Sequence, residues 1–401
     1  MPQYLTRSTI RKLPGQVIKA VRIPAPILTE GYGAREKVGE ICSRRGYKQV
    51  LLVTDKTLFE LGYHKKVQES IEAHGIGCSV FSSIEAEPDT DIIKAGRAAA
   101  LETGAEAIVA LGGGSVMDSS KMIAAGARLK SLNEHFLLVK FLFVPDKTLP
   151  LINIPSTAGT GAEITVGAVI TDTVLKTKGS TVIVGLDITD VILDSELTIK
   201  APAKVTAACG IDALSHGLEG CIADIKSNEE DISKSRECVR LVLENLPKVL
   251  ANPEDIQARQ EMCLAAHYGG NAINKQLAGY VHAFAHTIGA TYHIPHGSAI
   301  AASLMPVMEH LKGKCADKLA ALAAACGIEA STKEEAVNIL LGRIYSLVRE
   351  SGALPDHLDI PEKDFHRLTV RICEDSINYS APTTLTDKEI KEILCHIQNQ
   401  R

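Results

Sequence analysis

The chain has 401 residues, too many for one ordinary core and suited to two domains. Its 45% apolar and 23% charged composition is that of a soluble globular protein. A net charge of −5 with no Lys/Arg block excludes charge-driven binding to nucleic acid or acidic membranes. No uninterrupted apolar run approaches the ~20 residues that cross a bilayer, and the most apolar stretch, Phe136–Val144, is split by Lys140.

Residues 1–29 carry Arg7, Arg11, Lys12, Lys19 and Arg22 but no acid. A transit peptide has that charge bias, but Pro2, Pro14, Pro24 and Pro26 break the amphipathic helix it needs. An extended arm or edge hairpin is the expectation. Ten scattered cysteines without a C-x-x-C pair read as reduced core thiols, which points to the cytoplasm.

The first half then alternates. Gln49–Thr54 is a short apolar run, the mark of a buried parallel strand. Lys65–Ala73 reads as a helix, Cys78–Phe81 as a strand and Thr90–Thr103 as a helix. Ala107–Leu111 is a further strand, Ser115–Ala127 a helix and Leu149–Ile154 a strand. Strand–helix alternation at this spacing predicts a Rossmann-like parallel sheet covered on both faces. After about Asp194 only helical patterns remain: Ala207–Ala223, Asp231–Leu246, Asp255–Ala272, Gly279–Gly289, Ser298–Leu311, Lys318–Ala325, Lys333–Ser351, Pro361–Cys373 and Thr386–Gln400. The expected organisation is an α/β domain over residues 1–197 and an all-helical domain over residues 198–401.

Gly112-Gly113-Gly114-Ser115 lies between a predicted strand and helix. Bare backbone lets a phosphate approach, and the first helical N–H groups point at it. A tight strand–helix turn would look the same. Pro155–Gly161, rich in Ser, Thr and Gly, follows a second strand, and two such loops would flank one crevice at the carboxyl ends of the sheet. Asp55 ends the first strong strand, where a carboxylate accepts hydrogen bonds from a ribose and repels a 2′-phosphate, or else caps the next helix.

Asp212 and His216 are four apart in a helical stretch and so share one face. His282, His286, His293 and His296 fall within fifteen residues, out of 13 histidines in the chain. Imidazoles with a carboxylate suit a divalent Fe, Zn or Mn ion. Spacing nominates His282 and His286 as the second pair, but cannot say which of the four histidines bind.

Gly112–Lys121 (GGGSVMDSSK), Pro155–Glu163 (PSTAGTGAE), Gly210–Glu219 (GIDALSHGLE) and Gly279–Gly297 (GYVHAFAHTIGATYHIPHG) resemble the iron-containing, or group III, alcohol dehydrogenases, from about residue 25 to the C-terminus. The resemblance implies the dehydroquinate synthase-like architecture, with an NAD-binding α/β domain and a helical metal domain. The metal ligands it implies are Asp212, His216, His282 and His296, holding Fe2+ or alternatively Zn2+ or Mn2+. It places His286 beside the nicotinamide as a non-ligand, where an imidazole, which titrates near neutrality, is suited to relay the proton. It assigns Gly112, Gly113, Gly114, Ser115, Asp118, Ser156, Thr157, Thr160 and Lys178 to NAD, with Asp55 setting NAD over NADP.

Several positions depart from the family pattern. Phe136–Asp146 is inserted ahead of Lys147, Glu87-Pro88-Asp89-Thr90 replaces a commoner Asn-Pro-Thr, and Asp187 stands near a usual proline. Ile273, with Gly167, opens the expected substrate pocket, and Lys275 brings a cation towards it. The implied activity is NAD-dependent, metal-assisted interconversion of a small alcohol and aldehyde, an anionic aldehyde among the candidates. A hydroxyacid–oxoacid transhydrogenase and a dehydroquinate synthase-like lyase are the rival readings. The expected partners are the small-molecule substrate and further copies of the chain, as a homodimer or higher homo-oligomer.

Overall fold

A computed structural model describes residues 25–129, 141–173, 177–225, 227–377 and 379–399. The N-terminal arm up to residue 24 and the first part of the 136–146 insertion lie outside the described residues, as does the Lys178 side chain.

The chain divides into two compact units. One holds the described residues up to Thr157 together with Gly161–Lys200; the other holds Ala158–Thr160 and the described residues from Ala201 onward.

In the first unit the strands are β1 Ile27–Glu30, β2 Gln49–Asp55, β3 Gly77–Ile84, β4 Ala107–Gly112, β5 Phe141–Phe143, β6 Leu151–Pro155, β7 Gly167–Asp172, β8 Thr177–Val184 and β9 Ile188–Leu193. The helices are α1 Val38–Arg45, α2 Lys56–Glu60, α3 Tyr63–Glu72, α4 Thr90–Glu102 and α5 Gly114–Arg128. Six strands form one sheet in the order β1-β9-β6-β4-β2-β3, and every neighbouring pair is parallel. Every residue of β4 and β6 is buried, because helices must cover both faces of a sheet whose strands are continuous apolar runs.

β2, β3, β4 and β6 are the strands expected from the sequence. β9 escaped because Asp190 interrupts its apolar run. That carboxylate is fully buried and is satisfied by Arg44 Nη2 at 3.3 Å and Arg45 Nε at 3.0 Å. β1, the described end of the N-terminal arm, is a half-exposed edge strand with too little burial to impose a pattern. A smaller sheet joins β5, β8 and β7, with β5 parallel and β7 antiparallel to β8. Asp187, one departure from the family pattern, pairs with Lys147, the residue that follows the insertion, Nζ to Oδ1 at 2.9 Å. Another, Asp89, caps α4 by accepting from the N–H groups of Asp91 and Ile92.

In the second unit no strand occurs among the described residues. Its helices are α6 Ala203–Ile222, α7 Glu229–Ala251, α8 Ile256–Gln276, α9 Tyr280–Tyr292, α10 His296–Leu311, α11 Ala316–Ala325, α12 Lys333–Glu350, α13 Phe365–Ser376 and α14 Asp387–Gln398. α6 begins four residues before the expected Ala207, since Pro202 fixes the entry and Ala203–Thr206 carry no periodic signal. Its central part, Gly210–Ile222, is buried without a break, so α6 is the axis on which α7, α8 and α10 pack. Among the packed apolar residues are Leu214, Leu218, Val242, Leu246, Phe284 and Leu304.

Candidate functional site

The buried axis α6 carries Asp212 and His216 one turn apart, both facing inward. Two further histidines come from helix starts. His282 is the third residue of α9, and His296 is the first residue of α10. The short link between those helices includes His293 at φ 54°, ψ 38°. There it occupies the left-handed position that ends α9, and Ile294 N donates to Gly289 O at 3.2 Å in the matching closure. Gly297 lets α10 begin against α6: a Cβ there would lie 2.7 Å from Ala208 O. No side chain fits at that position, so His296 can be carried to the Asp212 level.

Three imidazoles converge on one oxygen. From Asp212 Oδ1, the Nε2 atoms of His296, His216 and His282 lie at 3.3, 3.6 and 3.7 Å. Donors around an ion with bonds of roughly 2.1 Å sit about 3.4 Å apart in tetrahedral geometry, close to the separation of each ring from Asp212 Oδ1. Asp212 Oδ1 and His282 Nε2 are both buried without a hydrogen-bond partner, a costly arrangement for polar atoms unless something charged lies between them. The ligand atoms of Asp212, His282 and His296 all fall within 4.8 Å of one another. The set therefore fits a divalent ion.

Burial and two carboxylates set the charge of the cluster. Burial alone would raise the Asp212 carboxyl, but His216 and His296 outweigh it and hold the group well below the usual range. Burial pushes the His216 ring down to about 4, which keeps it a neutral donor. Burial also works against charging His282, yet the Glu219 carboxylate overrides it and raises that ring to about 9.

His286, nominated by spacing, turns away from Asp212. Its Nδ1 meets the Tyr379 hydroxyl at 2.8 Å, while its ring centroid lies 5.2 Å from that of His296. It thus borders the cluster. Of the expected pocket residues, Ile273 and Lys275 lie near the C-terminal end of α8. The charge of Lys275 reaches the Glu230 carboxylate at the start of α7. Gly167 opens β7, where its carbonyl accepts from Lys121 Nζ at 2.7 Å.

In the first unit, Gly112 and Pro155 pair in register at the ends of β4 and β6, so both small-residue turns leave the carboxyl end of the sheet. Ser156 N donates to Gly112 O at 2.9 Å and ties the turns together. Gly113 is the N-cap of α5, and Gly114 and Ser115 are its first residues, which puts their N–H groups at the positive end of the helix. Thr157 and Thr160 follow β6, and Lys178 pairs with Thr171 in the β8–β7 ladder. Asp55 caps α2, its Oδ1 accepting from Leu58 N at 2.9 Å. Asp118 is engaged within the unit on both oxygens: Oδ1 accepts from Lys121 Nζ at 3.1 Å and Oδ2 from Val169 N at 2.9 Å.

Sequence reasoning gave no role to Glu219, Lys121 or Tyr379. Glu219 had a signal, since positions 212, 216 and 219 share one face of a helix. Tyr379 had none, because it meets His286 across 93 residues of chain.

A parallel sheet with a glycine-rich strand–helix turn in one unit and an Asp–His cluster fit for a divalent ion in the other are the parts of a protein that uses a dinucleotide and a metal. Residues 25–186 match the family model for iron-containing alcohol dehydrogenase, and residues 206–397 match that for the C-terminal region of the same family. The chain is 31% identical to a choline dehydrogenase of Bacillus subtilis (strain 168), over 90% of this chain and 91% of that protein. The solved structure of a 1,3-propanediol oxidoreductase superposes with a TM-score of 0.87 at 30% identity, covering 94% of this chain and 99% of that one. A sulfoacetaldehyde reductase from Bifidobacterium kashiwanohense, solved in complex with NAD+, gives 0.86 at 26% identity, covering 95% and 99%. The chain belongs to the iron-containing alcohol dehydrogenase family. It is an NAD-dependent oxidoreductase acting on alcohols or aldehydes, with NAD and a divalent metal, iron in this family, as cofactors. No described helix is long and apolar enough to cross a membrane.

Proposed function

We propose that this chain interconverts one small alcohol and its aldehyde, binding the ion through Asp212, His216, His282 and His296. The observation that carries the reading is the convergence of three Nε2 atoms at 3.3–3.7 Å on Asp212 Oδ1. When bound, the ion supplies Lewis acidity to the alcohol oxygen and NAD accepts the hydride. The chain's own residues do the rest. Gly113, Gly114 and Ser115 offer N–H groups to the pyrophosphate, and Ser156, Thr157 and Thr160 add hydroxyls on the adjacent turn. Asp118 and Lys178 are the further cofactor residues of this reading, and Asp55 faces the ribose hydroxyls. Asp212 contributes the single negative charge of the ligand set, which leaves the site net positive towards an incoming oxygen. His286, hydrogen-bonded through Nδ1, holds a proton at the edge of the site and exchanges it with the substrate hydroxyl.

Gly167, Ile273 and Lys275 are assigned to the pocket. Of the three relatives named above, two are named for substrates of opposite charge, choline and sulfoacetaldehyde, and one for a neutral diol. Lys275 favours the anionic class, tempered by the Glu230 carboxylate that its charge already reaches. The reading extends to a cytoplasmic homo-oligomer, which sedimentation of the purified chain and cell fractionation would test.

The deciding experiment follows NADH consumption across a panel of neutral, anionic and cationic small aldehydes, with metal analysis of the same sample. Turnover that tracks metal content supports the reading. Full turnover in metal-free protein overturns it, and exchange between two substrates with no free NADH points instead to transhydrogenation.

A further inference from the structure

The metal ligands do not explain why a fifth ionisable side chain, Glu219, is buried one turn beyond His216 on α6 with only 2% of its surface exposed. A buried carboxylate is expensive unless donors surround it. Three do. Oε2 accepts from Gly279 N at 2.8 Å and lies 2.6 Å from His282 Nδ1, and Oε1 accepts from Val281 N at 2.6 Å. Two of these partners are orphan N–H groups at the start of α9, and the third is the ring that must present Nε2 to the ion.

The approach is close enough to fix the sequence around it. A Cβ at Gly279 would lie 2.6 Å from Glu219 Oε1, so only glycine fits at that position. Two residues earlier, Leu277 sits at φ 65°, ψ 166°, a conformation that side-chain-bearing residues rarely adopt. Neighbouring contacts must hold the chain there, and the Gly279 N–H bond to Glu219 is one of them.

From this geometry we infer that Glu219 is a positioning residue for the metal centre, holding the His282 proton on Nδ1 so that Nε2 is free to bind the ion. The inference rests on the ligand assignment made above. A carboxylate is the one side chain of this length that accepts from all three donors at once. In Glu219→Gln the amide must turn an NH2 group either towards Val281 N–H or towards His282 Nδ1 and Gly279 N–H. The second orientation makes Nδ1 an acceptor and moves the ring proton to Nε2, the wrong nitrogen for the ion. Carboxylate–histidine–metal links of this kind set both ring orientation and ligand basicity.

The test titrates metal-free wild-type chain and Glu219→Gln with Co2+ at neutral pH, reading the visible spectrum against a competing chelator, alongside the melting temperature of each metal-free protein. The expected result is a Kd for Co2+ weakened about 10–100-fold in the variant, beyond any loss of folded protein. A variant that melts lower but binds Co2+ within about twofold of wild type per folded molecule would make Glu219 a helix cap only and overturn the inference. Unchanged melting and unchanged affinity overturn it as well. If Glu219→Gln does not fold, nitrogen-15 NMR of Zn2+-loaded wild type decides. A protonated Nδ1 on His282 is expected, and an unprotonated or metal-bound Nδ1 refutes the assignment. Wild-type chain that bound neither Co2+ nor Zn2+ would instead bring down the ligand assignment itself.

Discussion

His286 Nδ1 lies 2.8 Å from the hydroxyl of Tyr379, which reaches it from the loop after α13. If the phenol donates to Nδ1, the ring proton sits on Nε2; if the ring donates, Nε2 is a base. Tyr379 therefore selects the form in which His286 meets substrate. Tyr379→Phe removes the hydroxyl and keeps the ring, so kcat should fall about 3–10-fold, the worth of one hydrogen bond, with KM less affected. Burial, and after it the Asp375 carboxylate, raises this phenol above its ordinary value. Its folded value exceeds the unfolded one near 10, so its contribution is present below that pH and disappears only as pH rises through the folded value. The kcat profile should consequently show no limb near pH 10 from Tyr379, and a limb there that vanishes in Tyr379→Phe would contradict the assignment.

The ligand set makes a stronger prediction. His282→Ala and His296→Ala should each lose bound metal and alcohol oxidation together, with turnover reduced more than about 100-fold. Asp212→Asn should behave alike, since it deletes the set's negative charge while preserving shape. Metal analysis and turnover on the same preparation decide the matter. Wild-type activity in any of these variants stripped of metal would rule out the site.

How much of this was readable in advance depended on whether the signal was local. β2, β4 and β6 declared themselves as apolar runs because both faces of the sheet are covered. Asp212 and His216 declared themselves through helical spacing. The rest of the cluster did not. His282 and His286 repeat the four-residue spacing of Asp212 and His216, yet of the two only His282 faces Asp212; the third ring, His296, starts the next helix, beyond a link closed by His293. Which histidine reaches Asp212 is fixed by how α10 packs on α6 at Gly297, and packing between helices leaves no period in the chain. β9 was hidden for a related reason, because Asp190 is tolerated inside a strand only by arginines from α1.

Lys121 is completely buried, and its ammonium is held by Asp118 Oδ1 at 3.1 Å, Thr165 Oγ1 at 3.0 Å and Gly167 O at 2.7 Å. Asp118→Asn leaves that charge with neutral partners only, and should cost about 3 kcal/mol or more of unfolding free energy. Lys121→Met leaves Asp118, which is partly exposed and still accepts from Val169 N, and should cost less, about 1–2 kcal/mol. Denaturant unfolding of the two variants checks the order. The reverse order would mean that the pair does not tether β7 to α5.

Far from the site, Glu389 closes a capping box with Thr386 at the start of α14. Hydrogen bonds from the Thr386 backbone and hydroxyl, with His310 adding to them, draw its carboxyl down to about 2. A depressed folded value means the contribution is complete above the unfolded value near 4.3 and is lost as pH falls towards 2. Glu389→Gln should therefore lower stability by less than about 1 kcal/mol at neutral pH, since the group is partly exposed. The difference from wild type should shrink below pH 4 and vanish near pH 2, which urea unfolding across that range would show.

Asp55 separates two roles that the sequence left joined. Its side chain caps α2 through Leu58 N, and the proposed second duty is to turn away the 2′-phosphate of NADP. Asp55→Ala would remove both and confuse them. Asp55→Ser keeps a capping oxygen and deletes the charge, so helix stability should change little while the cofactor ratio moves. Repulsion between a carboxylate and a phosphate costs several kcal/mol at close range, and each ~1.4 kcal/mol is tenfold in selectivity. The ratio of kcat/KM for NADPH over NADH should rise about tenfold or more in Asp55→Ser, most steeply at low ionic strength, where the repulsion is least screened. A ratio that stayed put while the variant kept its melting temperature would leave Asp55 as a helix cap and nothing else.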